Sequence, residues 1–237
     1  MQRPTRDEIL ERLLPDARTV LDIGANVGQS AQSFRALWPD ATIHCFEPDP
    51  RNLQELSASL DPGMVVNPVA VAGAETAASA FHLTSAGQAS GLSAPSTEYL
   101  RRGVTEVDTV EVATTTIDAY RRANDLAHVD LCKIDTQGHT GPCLDGARET
   151  LAARAISVLQ IELLFAAYYD RRDTFLEVEQ RLAPHGYSLY TLVDTDTHTV
   201  GVSYIDYATG ELKHLDAIYV LRDLAGENTL GRDDGAR

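Results

Sequence analysis

Lysine is almost missing from this chain: Lys133 and Lys213 are the only two, and arginine carries the rest of the positive charge. Acids outnumber both, giving a formal net charge of −15 and a pI near 4.7. Such a chain repels a phosphate backbone, which argues against nucleic acid as a partner. Cysteine is scarce too. Cys45, Cys132 and Cys143 are too few and too scattered for a disulfide framework or a zinc cluster. Cys45 and Cys132 fall within apolar runs and read as small core residues. No apolar run approaches the ~20 residues of a membrane span, and the N-terminus has no apolar signal core. The expected place is the cytoplasm, with neither a membrane nor a nucleic acid as partner. No internal repeat is visible. At 237 residues and 43 % hydrophobic, the chain can build one full core. Residues 1–224 read as a single domain and 225–237 as a polar, disordered tail.

One stretch organises what is present. Residues 20–30, VLDIGANVGQS, run from an apolar segment holding one acid into a turn with Gly24 and Gly28. A helical pattern follows, with Phe34, Leu37 and Trp38 as its apolar positions. Strand, tight turn, helix is the unit that holds a nucleotide-like cofactor at the carboxyl edge of a parallel sheet. The dinucleotide fingerprint would need glycine at positions 26 and 29, where this chain has Asn26 and Gln29. Asp22, just before Gly24, would repel a pyrophosphate and could meet a cationic or donor group. The pattern suits S-adenosylmethionine, which has an α-amino group and no phosphate. A tight turn with no ligand is the alternative. Residues 41–47 then read as a second strand ending at Glu47, at the spacing where an acid bonds both ribose hydroxyls. Otherwise Glu47 is a surface acid capping the helix at 52–60.

The remaining pattern alternates strands and helices. Residues 5–14 form an amphipathic helix, with Thr5 and Glu8 as a capping box. Residues 63–67 make a short third strand. The rhythm breaks at 71–113, where strands at 78–84 and 107–113 flank a small-residue loop and a helical piece near Tyr99. A helix begins at 114, and 129–135 is a strong strand leading into Thr136-Gln-Gly-His139. A helix over 141–151, a strand over 156–162, a helix over 174–182 and a strand over 187–193 follow. A polar excursion at 194–210 precedes a last strand at 217–221. Two closing strands with no helix between them predict a parallel sheet with an antiparallel final strand.

As a set, VLDIGANVGQS, FEPDPRN, the Asn67-Pro-Val-Ala70 segment, KIDTQG and ISVLQIE resemble the FkbM family of S-adenosylmethionine-dependent methyltransferases. The resemblance covers roughly residues 18–222. It implies a class I methyltransferase fold: a Rossmann-like α/β three-layer sandwich with a seven-stranded sheet ordered 3-2-1-4-5-7-6, strand 7 antiparallel. It implies that Asp22, Gly24, Asn26 and Gly28 line the methionine half of the cofactor. Glu47 would hold the ribose, Pro48, Val69 and Ala70 would flank the adenine, and Asp135 would face the methionine end and the acceptor. Family members mostly methylate hydroxyls of small natural products or sugars. The chain departs from the family at His139-Thr-Gly-Pro142, where an acid flanked by apolar residues or alanine is usual.

Methyl transfer needs an acceptor oxygen held about 3 Å from the methyl carbon and relieved of its proton. Asp135, Gln137, His139 and Glu162 all fall at carboxyl ends of central strands, where ligands collect. His139 titrates nearest neutrality and is the first candidate for general base, with Asp135 beside it. Alternatively Asp135 caps the following helix. Asp135 and Glu162 could also hold Mg²⁺ and lower the pKa of a substrate diol. N-methylation, a nicotinamide-cofactor oxidoreductase and a catalytically silent cofactor-binding subunit are the remaining readings.

Overall fold

The computed structural model describes residues 3–59, 61–194 and 211–222, with the backbone of 205–206. Helix α1 (Arg6–Leu13) begins on the expected capping box: the Glu8 amide donates to the Thr5 hydroxyl and the Thr5 amide to the Glu8 carboxylate. Strand β1 (Thr19–Ile23), α2 (Gln29–Leu37), β2 (Thr42–Phe46), α3 (Pro50–Ala58) and β3 (Met64–Asn67) then alternate. The chain next leaves the main sheet. Strands β4 (Ala70–Val71), β5 (Thr76–Thr84) and β6 (Glu106–Thr115) form a separate sheet ordered β4-β6-β5, with α4 (Thr97–Arg101) in the β5–β6 connection. The alternation resumes with α5 (Ile117–Ala123), β7 (Val129–Ile134), α6 (Thr140–Asp145), α7 (Arg148–Ala152), β8 (Ile156–Leu164), α8 (Phe175–Leu182) and β9 (Tyr187–Val193). Short strands β10 (Ile205–Asp206) and β11 (Glu211–Leu212) pair antiparallel before β12 (His214–Leu221) closes the fold.

The main sheet is ordered β3-β2-β1-β7-β8-β12-β9. Counted among its own strands, that is the expected 3-2-1-4-5-7-6. Strand β12 runs antiparallel to both neighbours and the other pairs are parallel. Helices cover both faces, so β1, β7 and β8 must be apolar on both sides. Leu21 and Ile23 join one core with Cys132 and Leu159, while Val20 joins the other with Leu131 and Val158. The few polar residues in these strands therefore sit where a charge is expensive.

Several boundaries differ from the sequence reading, and two of them have a local cause. The helix expected over 141–151 is broken at Gly146 and Ala147. Gly146 packs against the Ala72 carbonyl, where a Cβ would not fit. The Asp118 carboxylate then accepts from the Glu149 and Thr150 amides and starts α7 afresh. The last strand begins at His214 rather than 217, because His214 and Leu215 continue the ladder on β8. Most of the 194–210 excursion and the 225–237 tail lie outside the described residues.

The acid missing from the 139–142 stretch is supplied from elsewhere. The Gly141 amide donates to Asp173 Oδ2 at 2.6 Å, and a Cβ on Gly141 would overlap that carboxylate. Gly141→Ala should displace Asp173 and cost about 1–2 kcal/mol, the scale of a lost helix cap. Chemical denaturation reads this directly, and an unchanged midpoint would show that Asp173 contributes nothing to α6.

Candidate functional site

A cavity of ≈ 460 Å³ opens over the carboxyl ends of β2, β1, β7 and β8. Phe46, Glu47, Pro48, Val69 and Ala70 line one end, and Gly24 and Asn26 line its floor. Asp135, Gln137, His139, Glu162, Tyr168 and His214 line the other. Phe81, Ser90, Leu92 and Tyr99, from the small sheet and its connection, also line it.

At the first end the backbone does the shaping. Gly24 (φ 80) and Asn26 (φ 51) are both left-handed, and a Cβ on Gly24 would overlap the Asp135 carbonyl. The amides of Gly24 and Ala25 both donate to the Phe46 carbonyl, each at 3.0 Å. Glu47 is buried and tied by two amides: Asn26 N–H donates to Oε2 at 2.8 Å and Asp49 N–H to Oε1 at 2.7 Å. Burial pushes its carboxyl up to about 7, against the pull of those two bonds. A carboxylate has about four acceptor positions, so it can still receive two ribose hydroxyls. Phe46, Pro48 and Val69 offer apolar surface for a flat heterocycle. These residues fit S-adenosylmethionine.

Asp22 and Gly28 are not on the cavity wall, contrary to the sequence expectation. Gly28 (φ 98) turns the chain into α2. Asp22 is fully buried and faces Lys133, with Nζ 3.2 Å from its Oδ1. The same ammonium reaches Asp135 Oδ2 at 3.3 Å and the Gly24 carbonyl at 3.3 Å. One lysine thus ties the glycine turn to the end of β7. Burial alone would lower Lys133, but Asp22, Asp135 and Asp216 outweigh it and hold it charged. Burial raises Asp22, and Lys133 offsets only part of that.

At the other end two carboxyls share a proton. Burial would raise Asp135, but Lys133, Glu162 and Gln137 lower it. Burial, Asp135 and Asp216 push Glu162 well up. The resting pair is therefore ionised Asp135 beside protonated Glu162. Asp135 keeps 32 % of its side chain accessible, all of it needed to face the cavity. The Gln137 amide donates to Asp135 Oδ1 at 2.8 Å and to Glu162 Oε2 at 3.1 Å. The Tyr169 hydroxyl lies 2.7 Å from Gln137 Oε1 and 3.1 Å from the Ala89 carbonyl. His139 is half-buried at the start of α6, and burial and then Arg171 lower it to about 4.

Asp135 and Glu162 do not fit a magnesium ion as they stand. Lys133 holds Asp135 Oδ2 and Gln137 holds Asp135 Oδ1 and Glu162 Oε2, so a metal ion would have to displace the buried ammonium. Among the described residues no group of three or more His, Cys, Asp or Glu could hold a metal.

Comparison with known proteins gives the family and the fold. The profile of the FkbM methyltransferase domain matches residues 22–189. The chain belongs to the FkbM family of S-adenosylmethionine-dependent methyltransferases. This FkbM chain is similar in structure to methyltransferase FkbM from Methylobacillus flagellatus KT, at 15% identity and a TM-score of 0.52. The match covers 86% of this chain and spans only 44% of that one. A chain from Listeria monocytogenes, assigned as an S-adenosylmethionine-dependent methyltransferase, matches at 9% identity and a TM-score of 0.50, over 91% of this chain and 97% of its own. At such identities the two likenesses speak for the fold. No curated protein matches the FkbM chain.

Sequence reading missed Tyr168, Tyr169, His214 and the role of Lys133. The Tyr168-Tyr169 pair just after an apolar strand was a usable signal, since large aromatics seldom cluster in a connection without packing on something. Nothing local marked His214. Among the described residues no helix is long and apolar enough to cross a membrane.

Proposed function

We propose that this chain is an O-methyltransferase acting on a hydroxyl of a small natural product or sugar, with residues 1–224 as one catalytic domain working in the cytoplasm. The observation that carries the proposal is one cavity holding a ribose-type carboxylate, Glu47, at one end and a neutral imidazole, His139, beside an ionised carboxylate at the other. Bound S-adenosylmethionine would supply a methyl group on a positively charged sulfur. Glu47 receives the ribose hydroxyls, and Pro48, Val69 and Ala70 enclose the adenine. Gly24 and Asn26 form the floor, and Asp135 faces the ammonium. On the acceptor side, Asp135 and His139 orient the hydroxyl. As its oxygen bonds the methyl carbon, the proton passes to His139 and the carbon–sulfur electron pair stays with sulfur.

Calorimetric titration tests the cofactor half. S-adenosylhomocysteine should bind and NAD should not. Glu47→Ala should weaken that binding by about 1–3 kcal/mol, the scale of lost charge-assisted bonds. The wild-type affinity should also depend on pH. Only ionised Glu47 is a pure acceptor, and its carboxyl is raised to about 7. Affinity should therefore be full above about pH 8 and fall as pH drops through 7, approaching tenfold per unit. An affinity constant from about pH 6 to 8 would remove Glu47 from the ribose.

A further inference from the structure

Strand register separates the part of the cavity a cofactor uses from the part left for the acceptor. Ile23 pairs with Phe46 and with Ile134, and Ile134 with Ile161. The next residues along, Glu47, Gly24, Asp135 and Glu162, therefore lie in a row across four adjacent strands. Adjacent strands are about 4.8 Å apart, so Glu162 lies about 14 Å from Glu47. Asp216 of β12 pairs with Glu162 as the next member of the row. With ribose at Glu47 and ammonium at Asp135, Glu162 belongs to the acceptor.

Among the described residues, none lining the cavity is lysine or arginine, although Arg102 stands 5.7 Å from the Tyr168 ring and Arg171 acts on His139. Lys133 is committed to Asp22 and Asp135, and among the described residues no ion pair reaches Glu162. The aromatic walls are Tyr99 and Tyr168, stacked with centroids 4.5 Å apart, and both line the cavity. A phosphate, sulfate or carboxylate on the acceptor would find no partner there. A cation would find the Glu162 carboxyl, beside an aromatic pair whose Tyr168 ring already carries the Arg102 guanidinium.

Resting on the methyltransferase reading above, we propose that the acceptor carries a cationic amine beside the hydroxyl that is methylated, and that Glu162 selects it. The groups that act on Glu162 are Asp135 and Lys133 from β7 and its end, Gln137 from the turn and Asp216 from β12, while His139 and His214 line the same cavity. Without a cation these leave Glu162 holding a proton. An ammonium placed beside it replaces that proton, which leaves to solvent while the ammonium keeps its own. Binding of the acceptor thus releases one proton from the enzyme, and the pair formed is desolvated and strong.

The test is a panel of hydroxylated amines: amino sugars, aminocyclitols and phenolic amines. Each is paired with its N-acetyl counterpart, which is neutral, and its trimethylammonium counterpart, which keeps the charge and cannot be methylated on nitrogen. Release of S-adenosylhomocysteine and the mass of the product are followed. At least one amine should turn over about tenfold or more faster than its acetylated form, as expected for a lost ion pair or cation–π contact. Its trimethylammonium form should remain a substrate. Glu162→Gln should erase the preference. Equal or faster turnover of the acetylated forms, turnover of no amine, or methyl found on nitrogen would each overturn the proposal. Failure to bind S-adenosylhomocysteine at all would instead sink the cofactor reading on which it rests.

Discussion

Replacing His139 by alanine should cut turnover about 10²–10⁴-fold, the contribution of a positioned general base, while S-adenosylhomocysteine binds as before. The imidazole lines the cavity and follows the turn after Asp135. Burial and then Arg171 lower it to about 4, so it is neutral throughout the physiological range but a weaker base than the near-neutral histidine expected from sequence, and its contribution comes from its position. The sign gives a second readout. A base with a depressed pKa loses its active form only as pH falls through that pKa. At saturating cofactor, turnover should therefore show no limb near 6.5, where a free histidine would put one, and should fall only toward pH 4. Saturation matters, because the Glu47 effect would otherwise add a limb near 7. A loss of twofold or less in the alanine variant would make His139 a bystander.

Lys133→Met should be the most damaging substitution for the fold. The ammonium neutralises Asp22 and Asp135 and holds the Gly24 carbonyl. Neither Asp22 oxygen has a hydrogen-bond partner within the required geometry, so the lysine's charge is its compensation. Removing one member of a buried pair costs about 3–5 kcal/mol, because the other is stranded. For a domain of this size that lowers Tm by about 6–20 °C. S-adenosylhomocysteine affinity should fall with it, since the glycine turn is released from β7. Adding Asp22→Leu to the variant should restore much of the stability, because a matched apolar pair is often as stable as the ion pair. Thermal denaturation of both variants decides this, and an unchanged Tm for Lys133→Met would refute the clamp.

Local chemistry was legible in the sequence. Strands β1, β7 and β8 are buried on both faces and so read as apolar runs. Gly24 and Glu47 were legible because a tight turn and a strand-end acid leave marks within a few residues. What joins distant segments was not. Asp22 looked like a ligand group because its register partner, Lys133, lies on another strand. The carboxylate expected near position 140 arrives as Asp173 from the connection after β8. Glu162 was legible as a strand-end acid, with a metal or a basic partner as its options, and only the row formed with Asp135 and Asp216 pushes its carboxyl well up.

The small β4-β6-β5 sheet is one uninterrupted piece of chain, and its strands do not join the seven-stranded sheet. It contributes Ala70, Val71, Phe81, Leu92 and Tyr99 to the cavity wall and leaves Glu47, Gly24, Asp135 and Glu162 on the main scaffold. The cavity is thus walled by two sheets that come from different stretches of chain. Rewriting residues 72–113 would reshape one of those walls while the carboxylates at the strand ends stay as they are.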